Sequence, residues 1–103
     1  MAVQKVLNIA KDFSRYPAGR VVTDGPYSGQ GFREEFLVPA MEAGEKFTID
    51  LDGTRGYGSS FLEEAFGGLV REGYSSEKIL SLLTFQTNDE SLIIEIREYI
   101  KDA

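Results

Sequence analysis

Histidine, cysteine and tryptophan are all absent from this 103-residue chain, and there are only three prolines and two methionines. Without cysteine there is no disulfide, no thiol nucleophile and no thiolate metal site. Without histidine there is no imidazole acid–base catalysis, and neither a Ser-His-Asp nor a Cys-His system can be built. Chemistry would fall to Asp, Glu, Lys, Tyr, Ser or Thr, with or without a hard cation. Long apolar runs are also missing: none approaches the ~20 residues that span a bilayer. The opening MAVQKVLNIAKDF has no continuous apolar core and no small-residue cleavage site, so no secretory signal is expected. The expectation is a cytoplasmic protein without a membrane partner.

Positive charge is the scarcer sign. The formal net charge is −6, and a basic surface is what phosphate backbones require, so nucleic acid is not an expected partner. Residues 1–50 carry six basic and seven acidic side chains, and residues 51–103 carry five and ten. The acidic excess of the second half reads as solvated helix surface, or else as a docking surface for a basic partner. Hydrophobic content of 42% and charged content of 27% are ordinary for a globular domain. With no linker, repeat or low-complexity tract, residues 1–103 are read as one domain.

Patterning predicts the order β-β-α-β-α-β-α. Residues 6–10 (VLNIA) and 20–23 (RVVT) have strand character, with the turn Pro17-Ala18-Gly19 between them. The loop Asp24–Gly31 leads to a helix with Phe32, Phe36, Leu37, Ala40 and Met41 on one face. Arg33 begins its solvent side, Pro39 is expected to kink or restart it, and Gly44 ends it. Residues 46–52 (KFTIDLD) alternate, with Phe47, Ile49 and Leu51 facing one way and Thr48 and Asp50 the other. Phe61, Leu62, Ala65, Phe66, Leu69 and Val70 form a helical stripe that stops at Gly73. Within it, Gly67-Gly68 implies close packing, since each Gly costs ~1 kcal/mol in a helix relative to Ala. One helical turn over 75–79, a strand over 80–87 and a helix with the stripe Leu92, Ile93, Ile96, Tyr99 and Ile100 complete the chain. Thr87 or Asn88 is the expected cap, with Thr87 and Glu90 at capping-box spacing. The implied architecture is α/β, with a four-stranded mixed sheet and helices mainly on one face.

Two segments carry candidate chemistry. Asp50-Leu51-Asp52-Gly53-Thr54, at the end of a hydrophobic strand, resembles the first motif of haloacid-dehalogenase-type phosphotransferases. That resemblance implies magnesium-dependent aspartyl phosphotransfer or phosphatase activity, feasible without His or Cys. The bland alternative is a strand ending in a Gly turn, and the distal acidic pair that completes such a metal site has no good counterpart beyond Asp89-Glu90, which have the look of first-turn helix charges. The second segment is Tyr57-Gly58-Ser59-Ser60-Phe61-Leu62-Glu63-Glu64. Ser60 and Glu63 stand at capping-box spacing. A hydroxyl at a helix start is also electrostatically suited to phosphorylation. The Gly-rich 25–33 loop lacks the Lys-Ser/Thr of a P-loop and is read as a connection.

Ile49-Asp50-Leu51-Asp52-Gly53, followed by Gly58-Ser59-Ser60-Phe61-Leu62-Glu63-Glu64-Ala65-Phe66-Gly67, resembles the signature of the STAS-like domains of unknown function, small bacterial and phage proteins. The 14–20 segment and the Ser28-Gly-Gln-Gly-Phe-Arg33 helix start are also similar, so the resemblance spans roughly residues 10–90. It implies a STAS-like fold and, by analogy with anti-anti-sigma factors, a non-enzymatic regulatory protein-binding module. Its partner would be an ATP-binding kinase that doubles as an anti-sigma-type regulator. By position, Ser59 or Ser60 would be the phospho-acceptor, and Asp52 would end the preceding strand. Gly58 stands where those factors have Asp, Phe61 where they have Gly, and the 54–58 loop intervenes. The expected working surface is the loop from Gly53 through Tyr57 and Gly58 to Ser60, with Phe61 and Phe66 in the core. No cofactor, metal or small-molecule substrate is expected. The third reading is a self-associating structural protein.

Overall fold

Three short strands pair in parallel in the order β1-β2-β3: β1 (Lys5–Asn8), β2 (Phe47–Asp50) and β3 (Leu83–Gln86). The computed structural model describes residues 5–103, so the first four residues of the expected single domain lie outside the described residues. Parallel neighbours require long crossovers, and helices fill both. Between β1 and β2 lie α1 (Ile9–Asp12) and α2 (residues 29–43). Between β2 and β3 lie α3 (residues 59–71) and α4 (Ser76–Leu82). Helix α5 (Glu90–Asp102) follows β3 and packs on the middle of α3 and on α4.

Register places Leu7, Ile49 and Phe85 in one row and Phe47 beside Leu83 in another. The two-residue pleat sends both rows to the same face, where Leu7, Phe47, Ile49 and Leu83 are buried. Phe32, Phe61 and Phe66 form an aromatic centre beneath them, with Phe66 edge-on to Phe85 at 5.5 Å. The helical stripes predicted from spacing supply most of this core. Phe32, Leu37, Ala40 and Met41 of α2 and Phe61, Leu62, Ala65, Phe66 and Leu69 of α3 are all buried.

Among the described residues the sheet has three strands rather than four, and it is parallel rather than mixed. The expected strand at 20–23 is instead a bend leading into a single 3₁₀ turn, Val22–Asp24. Its cause is Asp24, whose carboxylate accepts the amides of Arg20 and Val21, each at 3.0 Å. An Asp side chain that captures nearby backbone donors competes with strand pairing, and here it overrides the β preference of two consecutive valines. β1 also ends two residues earlier than expected, because the Asn8 side chain accepts the Lys11 amide and starts α1. The strand expected over 80–87 begins only at Leu83; Leu80 and Leu82 belong to α4.

Pro39 neither breaks nor ends α2. The helix widens into a π turn over Arg33–Leu37, and Pro39 falls in the first turn of the following α segment, Val38–Ala43. A missing amide is harmless there. Helix α3 has a matching interruption, a π turn over Glu63–Gly67. Gly44, at φ 65°, closes α2 as expected.

Candidate functional site

Because the strands are parallel and in register, their carboxyl ends at Asn8, Asp50 and Gln86 share one edge. In open α/β sheets this edge is where loops gather to form sites. Asp52 fastens it. Its carboxylate accepts the Thr87 hydroxyl at 2.8 Å and the Asn88 amide at 3.2 Å, while its carbonyl accepts the Asn8 side-chain amide at 3.1 Å. The Asp50 carboxylate turns back to accept the Asp52 amide at 3.0 Å. Tyr57 donates its hydroxyl to the Leu51 carbonyl at 2.6 Å, and burial pushes that hydroxyl up to about 12. The result is an open cleft of about 370 Å³ lined by Asp52, Gly53, Thr54, Tyr57, Thr87 and Asn88, among others.

Asp52, Gly53 and Tyr57 therefore meet in one cleft, with Gly58, Ser59 and Ser60 leading away from it into α3. Among the described residues, no group of three or more acidic side chains is placed to hold a metal ion. None of their helices is long and apolar enough to cross a membrane.

The start of α3 departs from the capping-box expectation. Gly58 is the N-cap residue, in extended conformation, and no side chain caps the helix. Ser60 is already the second helical residue, so its hydroxyl is not at the cap. Glu63 cannot reciprocate either, since its carboxylate is held by Arg20 at 2.6 Å and Arg71 at 2.7 Å. A charge-assisted pair outcompetes a neutral backbone donor for that carboxylate. Ser59 and Ser60 are both exposed, and neither hydroxyl has a hydrogen-bond partner among the described residues. Ser59→Ala and Ser60→Ala should each change stability by less than about 0.5 kcal/mol in urea titration. Ser28 is a working cap, buried and accepting the Gly31 amide at 3.0 Å. Ser28→Ala should cost ~1 kcal/mol, and equal losses at Ser28 and Ser60 would contradict the assignment.

The same capping failure recurs at α5. Asp89, not Thr87 or Asn88, is the N-cap, accepting the Ser91 amide at 3.0 Å. Thr87 is committed to Asp52, which ties the start of α5 to the loop edge.

Behind the serines, Glu63 and Glu64 join three arginines. Arg20 reaches both carboxylates, Arg71 pairs with both, and Arg33 reaches Glu64 at 2.8 Å and Glu72 at 2.5 Å. These acids are thus partly neutralised rather than simply solvated. Arg33 is not on a solvent face: it is 7% exposed, and it also donates to the Glu64 backbone carbonyl inside the π turn. Its guanidinium occupies the space where a Gly68 side chain would stand. The Gly67-Gly68 pair is a packing feature, and at Gly68 the close neighbour is this side chain rather than a backbone.

Arg71, and then Arg20, hold the Glu63 carboxyl below its ordinary 4.5. A lowered folded-state value means that the stability tied to this carboxylate is complete above 4.5 and is lost as pH falls through that lower value. Glu63→Gln removes the dependence, so the Tm gap between wild type and variant should narrow on acidification. A gap that stays constant from about pH 7 to about pH 3 would contradict it.

A further exposed surface lies beside this site and is not evident from residue patterning. Tyr16, Val21, Val22 and Tyr27 are exposed on the loop before α2, which joins the cleft loop where the Arg55 amide donates to the Arg15 carbonyl at 2.9 Å. Its only signal in the sequence is an apolar cluster among turn residues.

The class defined by these features is a small α/β domain whose parallel sheet presents a loop edge and a serine-bearing helix start. A family model described as a STAS-like domain of unknown function (DUF4325) matches residues 28–92. The match covers more than half of the chain and includes the whole Gly53-to-Ser60 segment, and the chain belongs to that family. Comparison with curated proteins and with solved structures found no match.

Proposed function

We propose that this chain is a non-enzymatic regulatory module that binds a protein partner through the 53–58 loop and the first turn of α3, switched by phosphorylation of Ser59 or Ser60. The observation that carries this reading is the pair of exposed serine hydroxyls with no structural use, at the start of a helix running from 59 to 71. A dianion there is favoured by the helix dipole and by unpaired first-turn amides. It would also change the charge of the surface presented beside the cleft. Asp52 then acts as a structural anchor that sets the loop, and Tyr57 packs its ring 6.1 Å from Phe61 to hold the loop against the helix.

The test is phosphate transfer from ATP to the purified full chain in an extract of its native cells. Wild type should gain about 80 Da, one phosphate group, and the Ser59→Ala/Ser60→Ala double variant should not. Equal labelling of both proteins, or labelling of neither, would overturn the switch.

A further inference from the structure

Four of the six large apolar side chains that stand exposed among the described residues fall within one loop: Tyr16 at 62%, Val22 at 52%, Tyr27 at 45% and Val21 at 37%. Single exposed apolar residues are ordinary, whereas clustered ones mark interaction surfaces. This loop is held in shape. The Ala18 amide donates to the Tyr27 carbonyl at 3.0 Å, and the Gly29 and Gln30 amides donate to the Gly19 and Arg20 carbonyls at 2.9 and 3.0 Å. Pro17 is buried, the Tyr27 ring sits edge-on to Phe13 at 5.6 Å, and Arg20 clasps α3 through Glu63 and Glu64. The apolar side chains are therefore offered on a backbone already ordered, which lowers the entropic cost of binding.

Charge indicates what fits there. Arg15 and Arg55 are both exposed and have no ion pair among the described residues, and the hydrogen bond from the Arg55 amide to the Arg15 carbonyl joins their backbones. Two unpaired cations carried on joined backbones favour a nearby anion, and the loop's own carboxylate, Asp24, is turned onto the Arg20 and Val21 amides. The nearby carboxylates of Glu63 and Glu64 are already taken by Arg20, Arg33 and Arg71. In a chain of net charge −6, this loop offers exposed apolar side chains together with two unpaired cations. Its complement is a segment with acidic residues flanking large apolar ones.

We propose that the 15–27 loop, together with Arg55, docks an acidic, apolar-bearing linear segment of a partner protein. This rests on the protein-binding reading above and adds the chemistry of the partner.

The probe is a displayed library of random short linear peptides, selected against the full chain, with affinities of the enriched peptides measured by fluorescence anisotropy. The expected consensus combines Asp or Glu with aromatic or aliphatic residues. Val22→Asp and Tyr16→Asp should each weaken binding about tenfold, as for a central apolar contact. Arg15→Glu should also weaken it, and wild-type affinity should fall with added salt. Ile94→Asp, an equally exposed position on α5, should leave it unchanged. Val22 and Tyr16 lie on the surface, so unaltered urea midpoints will show that their variants fold. A neutral or basic consensus, or affinity indifferent to Val22→Asp and Arg15→Glu, would overturn the docking face. Loss of affinity on Ser60→Asp alone would do the same while leaving the protein-binding reading standing. Failure to enrich any peptide would count against both.

Discussion

Replacing Arg33 with Met should lower stability by roughly 3 kcal/mol, the lower end of the range for breaking a buried ion pair. The lower end applies because Glu72 is 38% exposed and Glu64 retains Arg20 and Arg71. Methionine preserves much of the aliphatic volume, so the loss reports the guanidinium rather than a cavity. Three acceptors each lose one donor at once: the carboxylates of Glu64 and Glu72 and the Glu64 carbonyl in the π turn. Arg33→Lys keeps the charge but not the planar fork that serves acceptors in different directions, so it should fall between Met and wild type. Urea unfolding measures all three proteins. A loss below about 1 kcal/mol for Met would place Arg33 among surface charges.

Gly29→Ala should destabilise by about 2 kcal/mol, although Ala is the better helix former by ~1 kcal/mol at an open site. A Cβ on Gly29 would run into the Phe61 carbonyl oxygen and stand 3.0 Å from the Ala65 nitrogen. Those are backbone atoms of α3 and cannot swing aside, so α2 and α3 would have to separate. Gly31 is the internal control, since its nearest neighbour is the Ser28 hydroxyl oxygen at 3.3 Å. Gly31→Ala should therefore be close to neutral. Equal effects at the two positions in thermal unfolding would contradict the close approach of the helices.

The parts of this fold that follow from periodicity were readable in the sequence. The alternation around Ile49 and the stripe from Phe61 to Leu69 are set by burial against a core, and all of those apolar side chains are buried. What resisted reading depends on which of several competing partners a side chain takes. Asp24 captures two amides and cancels a strand. Thr87 serves Asp52 instead of a helix end, and Glu63 serves arginines instead of a cap. Arg33 looked solvated because the space that receives it, above Gly68, is made by another helix.

The candidate site divides along the same line. The strand-loop-helix pattern and the family resemblance point to the same candidate segment, and the family match supports the resemblance. The division of labour within it was not evident. Asp52 and Tyr57 are engaged in holding the loop, while the hydroxyls of Ser59 and Ser60 are left without partners among the described residues. Arg15 and Arg55, whose backbones are hydrogen-bonded, lie 40 apart in sequence and are joined only by folding.

Size-exclusion chromatography of native-cell extract, with the chain followed before and after ATP treatment, reads partner exchange itself. The chain should elute in a complex well above 11.5 kDa in one phosphorylation state and as the free chain in the other. The Ser59→Ala/Ser60→Ala variant should stay in a single state throughout. Identical elution of wild type before and after ATP, or identical shifts in wild type and variant, would contradict that exchange.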